Sequence, residues 1–112
     1  MEIVESKHNG VVVLALSGRL DASNASLLEQ QLLGLIDAGE RRITLDCAGL
    51  DYISSAGLRV LLVAVKRLRA DDGRMVLAAL KDPIKEIFDI AGFSSIFEIF
   101  PTRDAALAAC RA

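Results

Sequence analysis

The chain has 112 residues, 53% hydrophobic and 25% charged, with a formal charge of −2 at pH 7; that is enough for one core and too little for two, so a single domain over 1–112 is expected. No unbroken apolar run is longer than Val60 to Val65, far short of the ~20 residues a bilayer span needs, which argues against membrane insertion. The acidic balance, the lack of tryptophan and the single tyrosine offer little to hold phosphates or stack bases, so no direct nucleic acid binding is expected.

Ile3 to Ser6 and Val11 to Leu16 are β-prone runs separated by Lys7-His8-Asn9-Gly10, whose Asn-Gly step is a strong hairpin signal. The second run, VVVLAL, is continuously apolar, which predicts a central strand covered on both faces and ending at Gly18. After Asp21-Ala22-Ser23, Leu28, Leu32, Leu35 and Ile36 fall at helical spacing, and Gly39 closes that helix. Arg42 to Cys47 reads as a second buried strand, followed by a short turn from Ala48 to Tyr52. A strand-helix-strand order of this kind implies a parallel crossover.

From about Ser55 to Ala70, Leu58, Leu61, Leu62, Val65 and Leu68 trace one helical face while Arg59, Lys66, Arg67 and Arg69 lie off it. Lys66, Arg67 and Arg69 read as a solvated outer face. Asp71-Asp72-Gly73 ends the helix, and Met75 to Ala79 is a further parallel strand. Pro83 opens a short helix with Ile84, Ile87, Phe88 and Ala91 directed inward and Gly92 at its end. Ile96 to Phe100 gives a last strand, and Thr102 caps a final alanine-rich helix. The expected fold class is α/β: a mixed sheet with an N-terminal antiparallel hairpin followed by parallel strands, flanked by about four helices.

Loops at the carboxyl ends of parallel strands gather on one edge. That edge should therefore unite Gly18 to Ser23, Ala48 to Ser55 and Leu80 to Asp82, with Asp21, Ser23, Asp51, Ser54, Ser55, Lys81 and Asp82 among them. The only histidine, His8, belongs to the opposite edge, so a Ser-His-Asp arrangement is not expected. No phosphate-cradling glycine motif is present, and an Asp21 and Asp51 pair is better read as turn and cap chemistry than as acid and base. Cys47 and Cys110 are far apart, without a Cys-x-x-Cys, which suits idle thiols in a reducing cytoplasm. The opening MEIVESK lacks the pattern of an export signal, so a cytoplasmic location is expected. No catalytic residue, metal or cofactor is expected. Ser54 and Ser55 both suit the cap of the helix that follows them.

YISSAGLRVLL, Tyr52 to Leu62, and GRLDASNA, Gly18 to Ala25, resemble the two signature segments of the STAS family of anti-sigma-factor antagonists. DPIKEIFDIAGF, Asp82 to Phe93, and the order of elements extend the resemblance along the chain. It implies a binding module that engages an anti-sigma factor with serine kinase activity, frees the sigma factor, and is inactivated by phosphorylation. A PP2C-type phosphatase would reset it. Aligning Gly57-Leu58 places the family's phosphoserine on Ser55, and Asp21 matches the acidic residue after the second strand. Many members carry Asp immediately before that serine; here Ser54 stands instead, which implies slower phosphorylation, a different kinase or none. Partner contacts are expected at Asp21, Ser54, Ser55, Gly57 and Arg59, with Leu58 in the core and Phe93 packed on its helix. Two other roles are open to such a domain: a non-catalytic subunit of a lipid-transport ABC system or anion transporter, and a small anion- or nucleotide-binding enzyme.

Overall fold

The computed structural model describes residues 1–111. Its elements are β1 (Glu2–His8), β2 (Val11–Leu20), α1 (Ala25–Asp37), β3 (Arg42–Ile53), α2 (Ser55–Ala70), β4 (Arg74–Ala78), α3 (Asp82–Ile90), a 3-10 turn (Phe93–Ser95), β5 (Glu98–Phe100) and α4 (Arg103–Arg111). They form one sheet in the order β1-β2-β3-β4-β5, antiparallel between β1 and β2 and parallel thereafter. The expected α/β architecture is therefore the one observed. Asn9 and Gly10 both take positive φ, 52° and 83°, the conformation a tight hairpin between right-twisted strands requires.

Two layers cover the sheet because its strands are apolar on both faces. Leu14, Leu16 and Leu20 of β2 cluster with Leu45 and Leu50 of β3 against α1, α2 and α3. On the other face, Val11, Val76 and Ala78 pack on Ala106 and Cys110 of α4. Thr102 caps α4 as expected, its Oγ1 accepting from the Ala105 N–H at 3.1 Å. Phe93 is half-buried, with its ring centroid 6.4 Å from that of Phe88 and 6.1 Å from that of Phe97.

Three sequence expectations need correction. First, β2 does not end at Gly18 but runs to Leu20, and Ala48 to Tyr52 is not a turn but part of β3. The pairing slips twice, from Ala15 with Asp46 to Ser17 with Gly49, and from Gly18 with Leu50 to Arg19 with Tyr52. Each slip adds an unopposed residue to β3, a bulge that throws its inward and outward positions out of phase. Gly49, which reads as a turn signal, marks close strand approach instead: a Cβ there would lie 2.8 Å from Ser17 Cβ. Second, Ile87 and Ala91 are exposed, leaving Ile84 and Phe88 as the buried stripe of α3. A helix this short needs only that narrow stripe. Third, the last strand begins at Glu98 because Phe93–Ser95 forms a 3-10 turn.

The extension of β2 and β3 positions the site. β3 pairs with β4 only as far as Asp46, and β1 pairs with β2 only as far as Ser17. Gly18–Leu20 and Leu50–Ile53 thus extend beyond both neighbours as a two-stranded ribbon, and α2 starts directly from its end.

Candidate functional site

The ends of the ribbon strands are tied together by the Ser54 N–H, which donates to the Leu20 carbonyl at 2.9 Å. This bond sets Asp21 beside the start of α2. The loop after Leu20 is locked by its own side chains: Asn24 Oδ1 accepts from the Asp21 N–H at 3.0 Å, and Asn24 Nδ2 donates to the Arg19 carbonyl at 2.8 Å. The Asp21 carboxylate accepts from the hydroxyl and N–H of Ser23, at 2.5 and 2.9 Å. These bonds, with help from the Arg19 guanidinium 4.0 Å away, hold the Asp21 pKa below the usual carboxylate range.

The two serines divide their roles. Ser54 is the cap of α2, with φ −91° and ψ 172°, and its Oγ accepts from the Gly57 N–H at 3.2 Å. Ser55 is the first helical residue and is exposed. An aspartate at position 54 would cap equally well and would add a charge that Ser54 does not carry. Ser54→Ala is expected to cost about 1 kcal/mol of stability, measurable by urea denaturation. The first turn of α2 holds no acidic residue, leaving its partial positive charge without a carboxylate on the helix itself.

Gly57 lies buried under that first turn, where a Cβ would meet Leu20 Cγ at 2.7 Å and Ile53 Cγ1 at 3.0 Å. The helix can sit this close to the ribbon only without a side chain there. Gly57→Ala should destabilise the fold by about 1–3 kcal/mol through overpacking, with a matching fall in melting temperature. One turn along α2, Arg59 is exposed and lines a shallow groove of about 230 Å³ shared with Ala22, Ala25, Glu29 and Ala56. Leu58 faces the core, 9% exposed.

The structure brings Asp21, Ser54, Ser55 and Gly57 together, with Arg59 one turn away. Asp51 and Lys81 also meet, in an ion pair that links β3 to the segment after β4. Asp21 and Asp51 are each committed to other partners, Asp21 to Ser23 and Arg19, Asp51 to Lys81. His8 pairs with Val11 at the first residue of β2, whereas the serines follow the strand end paired with Leu20, the last. Cys47 is buried in the core, and desolvation pushes its thiol pKa up to about 12. Arg19 and Tyr52 escape the sequence reading: the guanidinium lies 4.1 Å from the centre of the Tyr52 ring, on the exposed face of the ribbon. A strand assignment across the bulges would have found them, since they are opposite each other in the register.

Comparison with known proteins places these features in context. The STAS domain family profile matches residues 2–106. A Bordetella bronchiseptica protein, provisionally named anti-sigma factor antagonist BtrV, is 46% identical over 109 residues, covering 97% of this chain and 94% of its own. The crystal structure of a Thermotoga maritima protein, given a similarly provisional antagonist name, superposes with a TM-score of 0.94 at 20% identity, covering 98% and 95% of the two chains. An anti-sigma factor antagonist from Mycobacterium paratuberculosis gives 0.90 at 25% identity, covering 99% and 94%.

Proposed function

The chain belongs to the STAS domain family, and from that premise we propose that it is an anti-sigma factor antagonist, a binding module and not an enzyme. Its partner is an anti-sigma factor with serine kinase activity, and phosphorylation of Ser55 by that kinase ends the antagonism. A PP2C-type phosphatase restores it, and the cycle belongs in the cytoplasm.

One observation carries the reading: at the start of α2 the capping and exposed hydroxyls are separate, Ser54 bound to the Gly57 N–H and Ser55 exposed. A kinase could modify Ser55 without removing the cap that holds the helix. The added charge, about −1.5 to −2, falls at a helix N-terminus, which tolerates anions. The fold survives while the docking face gains negative charge. The name of the 46%-identical relative supports the same role.

Docking uses Asp21, Ser54, Ser55 and Arg59, with Gly57 acting from below by holding the helix against Leu20. The test is titration of the purified chain into its cognate anti-sigma factor, alone and bound to sigma factor. The proposal expects a defined complex and release of sigma factor. Absence of binding to the anti-sigma factor overturns it.

A further inference from the structure

We infer that Arg59 is the intrachain counter-ion of a phosphate on Ser55, so that phosphorylation also withdraws the one positive charge lining the groove between α1 and α2. The inference rests on the proposed phosphorylation of Ser55 and adds where the new charge goes.

The geometry supplies the first argument. Ser55 and Arg59 are four residues apart on α2, both exposed. Helical side chains lean toward the N-terminus, so a guanidinium at position 59 is within reach of the turn that carries Ser55. Oppositely charged residues at this spacing attract each other. A phosphate oxygen and a guanidinium can also form paired charge-assisted hydrogen bonds.

The other cations near Ser55 are already engaged. Arg19 is held over Tyr52 and beside Asp21, and Lys81 is paired with Asp51. Among the described residues, Arg59 has no ion pair. The charged group facing it across the groove is Glu29 of α1. Arg59 is therefore uncommitted in the unmodified chain and is available to a partner carboxylate. Once Ser55 carries a phosphate, the same guanidinium has a dianion one turn away. The groove then loses its cation and keeps Glu29.

The experiment uses the full chain with phosphoserine installed at position 55 during synthesis, so it needs no kinase and is independent of which kinase acts. Phosphorus NMR reads the second ionisation of the phosphate as pH is varied. With Arg59 present, that pKa should lie below its ordinary value of about 6. Arg59→Gln should raise it by about half a unit, roughly threefold in the acid constant. Arg59→Lys should keep most of the depression, and Lys85→Gln, on α3, should leave it unchanged. Equal pKa values in the parent and Arg59→Gln chains, both folded by circular dichroism, overturn the inference. So does an equal rise in Lys85→Gln, which would mean bulk charge and not the pair. A kinase that modifies another residue overturns the Ser55 reading while this titration still reports on Arg59.

Discussion

Ser55→Glu is expected to weaken binding to the anti-sigma factor by about 2–5 kcal/mol, roughly thirtyfold or more, because a charge enters the interface with no mate on the partner surface. The carboxylate joins an edge that already holds Asp21, whose pKa is depressed and which is ionised at neutral pH. A partner surface matched to a neutral hydroxyl must then desolvate the new charge or separate from it. The loss has to come from the interface and not from unfolding. Position 55 is exposed, and an acidic side chain in the first turn of a helix is neutral or stabilising by about 0.3–1 kcal/mol. The melting temperature should therefore hold while affinity falls. Ser55→Ala should retain affinity and stability, since Ser54 supplies the cap.

Leu20→Ala should have an effect of similar size on folding, about 2–5 kcal/mol, read by urea denaturation. Leu20 is the last residue of β2 and is fully buried. Its side chain fills the space directly above which Gly57 brings α2 onto the ribbon. The ladder with Ile53 on one side and the helix on the other limit how far the cavity can collapse, which puts the cost well above that of an exposed leucine. The same change should loosen the site. The Ser54 N–H bonded to the Leu20 carbonyl should exchange with solvent faster than in the parent chain, even where the domain remains folded. Affinity for the partner would fall through mobility of the α2 start, whereas Ser55→Glu lowers it with the fold intact.

The parts of the fold readable from the chain are those whose burial period is regular. VVVLAL becomes a strand buried at nearly every position, and the leucines of α2 at helical spacing become its core face. Asn9-Gly10 turns the hairpin because its backbone has few alternatives. The reading fails where tertiary pairing overrides local pattern. Nothing in Ala48 to Tyr52 signals a strand, because two bulges break its alternation and the partner strand supplies the missing constraint. Ile87 looks inward by spacing, yet α3 meets the core through Ile84 and Phe88 alone.

The candidate site divides in the same way. Asp21, Ser54, Ser55 and Gly57 are local to two segments joined by one backbone bond, so their neighbourhood follows from the parallel order of β2 and β3. Which serine caps and which is exposed depends on the entry angle of a single turn, and residue type alone does not distinguish them. The Arg19 and Tyr52 contact depends on register across a bulge, and the groove opposite Arg59 depends on how α1 packs on α2. The first needs the strand register and the second the helix packing, and local residue pattern supplies neither.

The most direct measurement is a phosphorylation map: the chain incubated with its cognate anti-sigma kinase and ATP, digested, and sequenced by mass spectrometry. A single phosphate on Ser55, absent from Ser55→Ala and retained in Ser54→Ala, is the expected result. Phosphate on Ser54 or elsewhere, or none at all with a kinase that binds the chain, would contradict the account.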